Sequence, residues 1–329
     1  MLFRSDVGNT TSEALGQADR HAAAAVIARR GARGSASNGA LMRVFPVAVA
    51  FLDADEATTI RVALDQSAVT HPPASGWGAA IAAAMMRRFL LGEDAFAAIP
   101  ALLAHVPTEF VGPFADVLDP AWAPKPSDLP NGTVWTCLGQ AVWAVRHATT
   151  FEEALVRAVD LGDDTDTVAV VAGALAGARF AVQAIPSRWR TYVHGKVDTA
   201  EGTVRYTDGD LQDLTRRLLG GTVRPETRPE PAKQPVEVAP GLHAADLLGA
   251  AGVPTDWAVV SLCRTYGRFA YHPVRREVYL RDQEGTANIG LGHAVRDAVD
   301  GIDALLAEGH KVVVHCHGGR SRTALVLKA

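Results

Sequence analysis

Between Gly221 and Pro240 the sequence reads GTVRPETRPEPAKQPVEVAP, five prolines in twenty residues with charges interleaved and few large apolar side chains. Proline lacks a backbone donor and fixes one dihedral, so neither a helix nor a central strand forms easily through such a stretch. Its apolar content is too small to offset the entropy of ordering it, and an extended, semi-stiff linker is expected over 221–240. That expectation divides the 329-residue chain into two folding problems, residues 1–220 and 241–329. The length suits two domains, and an apolar fraction of 48% supplies cores for both.

The two sides of the proline-rich stretch carry different periodicities. Before it, Gly76–Leu91 (GWGAAIAAAMMRRFLL), Gly139–His147 and Phe151–Val159 repeat apolar residues at helical spacing. Prolines and glycines punctuate these runs, as at Pro72–Pro73 and Pro124–Pro130. Little alternation of the strand type is visible, so an all-α helical bundle is expected over 1–220. After the linker, Trp257–Cys263 (WAVVSLC), Glu277–Leu280 and Lys311–His315 (KVVVH) predict strands, and Leu291–Ala307 predicts a helix ended by Glu308–Gly309. Strands alternating with helices imply an α/β domain with a central sheet.

Net charge is −4, with 21% of residues charged, which gives no electrostatic reason to expect nucleic acid or an anionic membrane as partner. No apolar run approaches a bilayer span, and Met1–Asp6 lacks the pattern of a signal peptide. The three cysteines, Cys137, Cys263 and Cys316, are widely spaced and fit neither a disulfide framework nor a zinc site. A reducing, cytoplasmic compartment is expected.

The chain closes on VVVHCHGGRSRTALVLKA. A predicted strand leads into Cys316, a loop containing Gly318 and Gly319 follows, and a helix is predicted near Arg322. Such a loop points backbone N–H groups inward and makes an anion nest, which also favours a thiolate at Cys316. Arg322 can fork onto two oxygens of a phosphate. The bland alternatives are a fortuitous glycine-rich turn, and for Cys263 a core position. Cys-x5-Arg with His before the Cys and Thr after the Arg resembles the signature of the protein tyrosine and dual-specificity phosphatases. The resemblance implies Cys316 as nucleophile of a phosphocysteine intermediate and Arg322 as phosphate ligand. It further implies Thr323 as assistant to sulfur departure, His315 as support for the loop, and His317, Gly318, Gly319, Arg320 and Ser321 as the phosphate-binding turn. That family needs an acid for the leaving oxygen; Asp282, 34 residues before Cys316 and followed by Asn288, fits that role, although an Asp in a turn is ordinary. No cofactor is implied for this half, and a phosphorylated substrate is.

In the first half, Leu161–Ala178 (LGDDTDTVAVVAGALAGA) places Asp164, Asp166 and Thr167 at the start of an Ala/Gly-rich helix. Acidic residues there either cap the helix or offer hard oxygen ligands to Mg2+ or Mn2+. Asn38–Gly39 alone is a turn, and His71 alone a structural polar residue. Together, Gly162-Asp-Asp-Thr-Asp-Thr, Ser37–Arg43 (SNGALMR) and Thr70–His71 resemble motifs of the ADP-ribosylglycohydrolase family over about residues 5–220. The resemblance implies an all-helical fold that holds two Mg2+ or Mn2+ ions and removes ADP-ribose from protein side chains or small ADP-ribosyl compounds. It assigns Asp164, Asp166 and Thr167 to one of two metal-ligand groups, and Asn38, Gly39 and His71 to the ADP-ribose site. The family's other ligand group, a Thr-Asp-Asp type, is not found, so a preceding segment is expected to be missing; further helices are likewise expected beyond Ala329. The chain is thus expected to be a two-domain hydrolase. The alternative is a non-catalytic ADP-ribose-binding module that targets a phosphatase, and phosphoinositides, RNA 5′ ends or small phosphates stand beside phosphoprotein as its substrates.

Overall fold

A computed structural model describes residues 8–125, 131–221, 234–283 and 288–329. Most of the proline-rich stretch, 222–233, lies outside the described residues, as does Met1–Asp6. Two compact units divide the chain at Arg179 and Phe180.

The first unit is helical: α1 (Asn9–Leu15), α2 (Arg20–Ala32), α3 (Phe45–Ala50), α4 (Glu56–Ser67), α5 (Pro73–Leu90), α6 (Ile99–Leu103), α7 (Thr108–Leu118), α8 (Val134–Arg146), α9 (Phe151–Asp160) and α10 (Thr165–Phe180), with a 3-10 turn at Asn38–Arg43. Helix starts are set by side-chain caps. Asp19, Asp55, Thr133 and Thr150 each accept a hydrogen bond from a first-turn N–H, satisfying a donor that has no partner inside the helix. The unit centres on α5, whose Ala79–Met85 are all buried. Small residues set the helix spacing: a Cβ at Gly139 of α8 would lie 2.6 Å from Val117 Cβ in α7, so only glycine allows that approach.

The second unit opens with α11 (Ser187–Arg190), the hairpin β1 (His194–Thr199) and β2 (Gly202–Thr207), and α12 (Asp208–Leu218). The hairpin corrects the expectation of an all-helical region over 1–220. Both of its strands are almost wholly exposed, so the sequence carries no apolar/polar alternation to betray them. Then follow β3 (Val236–Ala239), β4 (Leu242–Asp246), α13 (Leu247–Ala251), β5 (Ala258–Ser261), β6 (Arg275–Glu277), α14 (Leu291–Ala307), β7 (Val312–Cys316) and α15 (Ser321–Leu327). The strand β3 corrects the linker expectation at its C-terminal end: flanked by Pro235 and Pro240, it is an exposed edge strand, where a proline costs no ladder bond. The strand expected at Glu277–Leu280 lies earlier, with its ladder ending at Glu277.

The five strands run in the order β3-β4-β7-β5-β6; β4, β7, β5 and β6 are mutually parallel, and β3 is antiparallel to β4. Central β7 is buried throughout. Period-two alternation sends Val312, Val314 and Cys316 towards α14, packed with Ala294, Ala298, Ile302 and Leu305, and sends Val313 to the other face with Phe269. Cys316 therefore stands at the carboxyl end of the central parallel strand, where open α/β sheets hold their ligands.

Candidate functional site

Three loops of the helical unit meet. Residues 36–38 pair with 131–134: Asn38 N–H donates to Gly132 O (3.0 Å) and Val134 N–H to Ala36 O (2.7 Å). Asn131 then ties this pair to the start of α10. Its N–H donates to Asp163 Oδ2 (2.9 Å), its Nδ2 to Gln140 Oε1 (2.8 Å) and Gly162 O (3.1 Å), and its Oδ1 accepts from Asp164 N–H (2.9 Å). Across 126 residues, Asn38 Nδ2 donates to Asp164 Oδ2 at 2.6 Å. Burial works against the charged form of Asp164, but hydrogen bonds from Asn38, Thr167 and Asp166 outweigh it and hold the carboxyl below its ordinary value. Asp166 Oδ1 accepts from Thr167 N–H at 2.8 Å. Asn38 and Asp164 are thus brought together, with Asp166 and Thr167 beside Asp164.

Among the described residues, no group of three or more His, Cys, Asp and Glu side chains converges as a metal cage. The Asp164, Asp166 and Thr167 oxygens are hard donors of the type that suits Mg2+ or Mn2+, and the ionised state of Asp164 fits that role. The same carboxylates also serve local structure, as the capping reading required. Cys137 lies beneath this cluster, fully buried; burial pushes its thiol up to about 12, so it stays protonated. His71 is placed against Gly39: a Cβ there would come within 2.9 Å of His71 Nε2. Burial, with Arg43 and Arg30 nearby, lowers the His71 pKa to about 4. Sequence reading missed Asn131, Gln140 and Asp163. The turn-like Asn131–Gly132 was the only signal, and nothing in it announced partners at 140 and 162–164.

The second cluster lies at the end of β7. Gly319 has φ +62°, and a Cβ on it would lie 2.7 Å from Ala245 O and 2.8 Å from Asp246 N, so the turn 317–320 presses onto the end of β4 in a conformation only glycine takes without strain. Leu247 N–H donates to His317 O (3.3 Å) and fixes the other side of the turn. Arg322 is buried. Its Nη1 donates to Leu280 O (3.0 Å) and its Nη2 to Asp282 Oδ2 (3.3 Å), while Ser321 Oγ donates to Asp282 Oδ1 (2.5 Å). Asn288 holds the Asp282 turn, accepting from Arg281 N–H (2.8 Å) and donating to Arg281 O (3.1 Å) and Gln283 O (3.3 Å). Asp282 and the residues of the Cys316 turn are therefore neighbours, although the intervening 284–287 lie outside the described residues.

All three cysteines are buried, but Cys316 differs in its surroundings. Burial pushes its thiol up; the Thr323 hydroxyl, the N–H groups of Thr323 and Arg320 and the Arg322 charge outweigh that, and the net shift is downward. His315, one residue earlier, points to the opposite face. It shares a hydrogen bond of 2.8 Å with Ser261 Oγ and packs on the Phe269 ring at 4.7 Å. Burial pushes its pKa down to about 3, so it is a neutral packing group. His317, Gly318 and Gly319 are half-buried in the turn, and Arg320 and Ser321 are exposed at its rim. The arrangement combines a buried sulfur biased to its anion, an inward guanidinium and a nearby carboxyl, the parts a nucleophilic displacement at an oxyanion requires.

Comparison with known proteins bears on the helical part. A family model described as ADP-ribosylglycohydrolase matches residues 3–227. ADP-ribosylarginine hydrolase Tri1 of Pseudomonas putida (strain GB-1) is 42% identical over 59 residues, 18% of this chain and 16% of that protein. The protein of the same description from Serratia proteamaculans (strain 568) is 41% identical over 59 residues, again 18% and 16%. The chain thus matches only a small part of the length of these curated relatives. A solved structure described as an ADP-ribosylglycohydrolase-related protein complex superposes with a TM-score of 0.47 at 26% identity, covering 65% of this chain and 69% of that one. Among the described residues no helix is long and apolar enough to cross a membrane.

Proposed function

Because the chain belongs to the ADP-ribosylglycohydrolase family, we propose that its helical part is a hydrolase that cleaves the bond between ADP-ribose and an acceptor, on an ADP-ribosylated protein or a small ADP-ribosyl compound. Water adds across the glycosidic bond: its oxygen joins the ribose carbon, and a proton goes to the departing acceptor. The relatives described as ADP-ribosylarginine hydrolases make a guanidino nitrogen the first acceptor to try. The observation that carries the reading is the 2.6 Å bond between Asn38 and Asp164, which joins the two family motifs across 126 residues. In this reading Asn38, Gly39 and His71 face the ADP-ribosyl group. Asp164, Asp166 and Thr167 would hold Mg2+ or Mn2+ on one side, and the ion would supply Lewis-acid polarisation. The test is release of ADP-ribose from ADP-ribosylated arginine with Mg2+ or Mn2+ present. Asp164→Asn, which cannot offer a full negative charge, is expected to lower the rate about a hundredfold or more; an unchanged rate would remove Asp164 from the site.

A second reading concerns the sheet unit, and the placing of Asp282 against Ser321 and Arg322 favours it. We propose that the Cys316 turn binds a phosphate monoester and transfers its phosphoryl group to sulfur. The Cys316 thiolate attacks phosphorus and the bond to the leaving oxygen breaks; Asp282, which takes a proton from solvent once the phosphoryl group displaces it from Arg322, gives that oxygen its proton. Water then displaces the sulfur, and Thr323 donates to the departing thiolate. Arg322 and the N–H groups of 317–321 bind the phosphoryl oxygens. No metal enters this reaction, so hydrolysis of an aryl phosphate by the whole chain should survive a chelator and vanish in Cys316→Ser, whose hydroxyl is not ionised near neutral pH. Turnover retained by the serine variant would sink the reading.

A further inference from the structure

Around His71 the helical unit joins two of the motifs, Ser37–Arg43 and Thr70–His71, through a hydrogen-bonded relay. Arg43, at the end of the 3-10 turn, donates through Nη2 to Thr70 Oγ1. Thr70 Oγ1 lies 2.8 Å from His71 Nδ1, and Arg43 Nη2 lies 3.5 Å from the same nitrogen. Thr70 and His71 are both buried.

The chemistry of the three groups favours one arrangement of their protons. A guanidinium only donates, so the Thr70 oxygen accepts from Arg43 and is left with its own proton to give. Two donors then converge on His71 Nδ1. A proton on that nitrogen would face the N–H of a cation, which favours Nδ1 as the bare acceptor. In that arrangement the ring proton of the neutral imidazole sits on Nε2. That nitrogen is the atom nearest to the place a Cβ would occupy at Gly39, 2.9 Å away. Any larger residue at 39 would cover it, so glycine keeps this edge of the ring open on the Asn38–Gly39 turn.

The geometry points to Arg43 and Thr70 as positioning residues that lock His71 in its Nε2-protonated form, a neutral hydrogen-bond donor for an oxygen of the ADP-ribosyl group. This rests on the reading of the Asn38–Gly39 turn as part of the ADP-ribose site. A neutral donor has a specific use: it recognises a ribose or diphosphate oxygen without a charge that would change across the physiological pH range. The low pKa of His71, caused first by burial and then by the Arg43 and Arg30 charges, agrees with a neutral ring.

The test has two arms, so that the relay and the ligand fail separately. The first needs no ligand. Nitrogen NMR of the histidine-labelled protein, with the His71 signals assigned by their loss in His71→Gln, should show Nδ1 unprotonated and Nε2 protonated at neutral pH. Thr70→Val should mix the two tautomers, and Thr70→Ser, which keeps the hydroxyl, should restore the single form. If Thr70→Val proves unstable, Arg43→Gln takes its place. A wild-type His71 with its proton on Nδ1, or a tautomer indifferent to both substitutions, would overturn the relay. The second arm is calorimetric titration with free ADP-ribose. Thr70→Val should weaken binding roughly tenfold, the effect of about one neutral hydrogen bond, and Thr70→Ser should recover it. Failure of the wild-type protein to bind ADP-ribose, with the tautomer as expected, would overturn the ligand assignment and the reading on which it rests.

Discussion

A single residue can owe its chemistry to a neighbour, and Cys316 is such a case. The Thr323 hydroxyl is the strongest of the influences that lower its thiol, acting against burial. Replacing Thr323 by Val keeps the shape and removes the donor, so the thiolate, followed by its ultraviolet absorbance as pH is raised, should appear at higher pH than in the parent. An unmoved midpoint would show that the hydroxyl does not face the sulfur. At this scale Cys316 and Arg322 stand out by residue type and spacing, and Thr323 and Asp282 through the resemblance those two carry; the structure sets Asp282 against Ser321 and Arg322. Asn131 does not stand out. It looks like one more turn residue, and its importance comes from four hydrogen bonds to residues 140 and 162–164, which no local pattern encodes. Its partner Asp163, held at φ +59°, shows its strain only in three dimensions.

Among the elements, those with a strong apolar face were legible and those without one were not. Helix α14 runs from Leu291 to Ala307 as its periodicity predicts, because a buried stripe of Ala294, Ala298, Ile302 and Leu305 leaves a 3.6-residue signature. The hairpin of β1 and β2, like edge strand β3, has no buried face and therefore no signature. Short α11 shows how a polar anchor can matter more than periodicity. Its Arg190 is buried, donates to Glu277 O (2.7 Å) and Val182 O (3.0 Å), reaches Asp208 at 3.5 Å and stacks 3.8 Å over the Tyr279 ring. Tyr279 OH in turn donates to Asp208 Oδ2 (3.0 Å), and burial raises the Asp208 pKa. Arg190→Ala would strand two carbonyls and a half-buried carboxylate. A loss of about 2–4 kcal/mol is expected, read as a lower denaturant midpoint. Arg190→Lys should recover only part of it, since a point charge cannot reproduce the fork or the stack. A midpoint within error of the parent would mean that the guanidinium is not seated there.

For the molecule as a whole, two buried histidines contribute to the response to acid just below neutrality. The His71 pKa falls to about 4 and that of His315 to about 3, each from 6.5, so the native state refuses protons that the unfolded chain takes up. Their contribution is complete above pH 6.5 and is lost as pH drops towards 4 for His71 and 3 for His315. Urea midpoints should therefore fall between pH 7 and pH 5, and His71→Gln should flatten that fall in the helical unit; midpoints that stay level would contradict neutral burial of both rings.

The family match runs to residue 227, yet residues from Phe180 onward belong to the same compact unit as the sheet, with Arg190 and Tyr192 bonded to β6 and its flank. Homology and folding therefore draw their seams in different places. A recombination event that cut the gene at the edge of the family would pass on a sheet whose outer strand had lost its guanidinium, its tyrosine and the helix behind them. Any transfer of this sheet would have to carry the last forty-odd residues of the glycohydrolase segment with it.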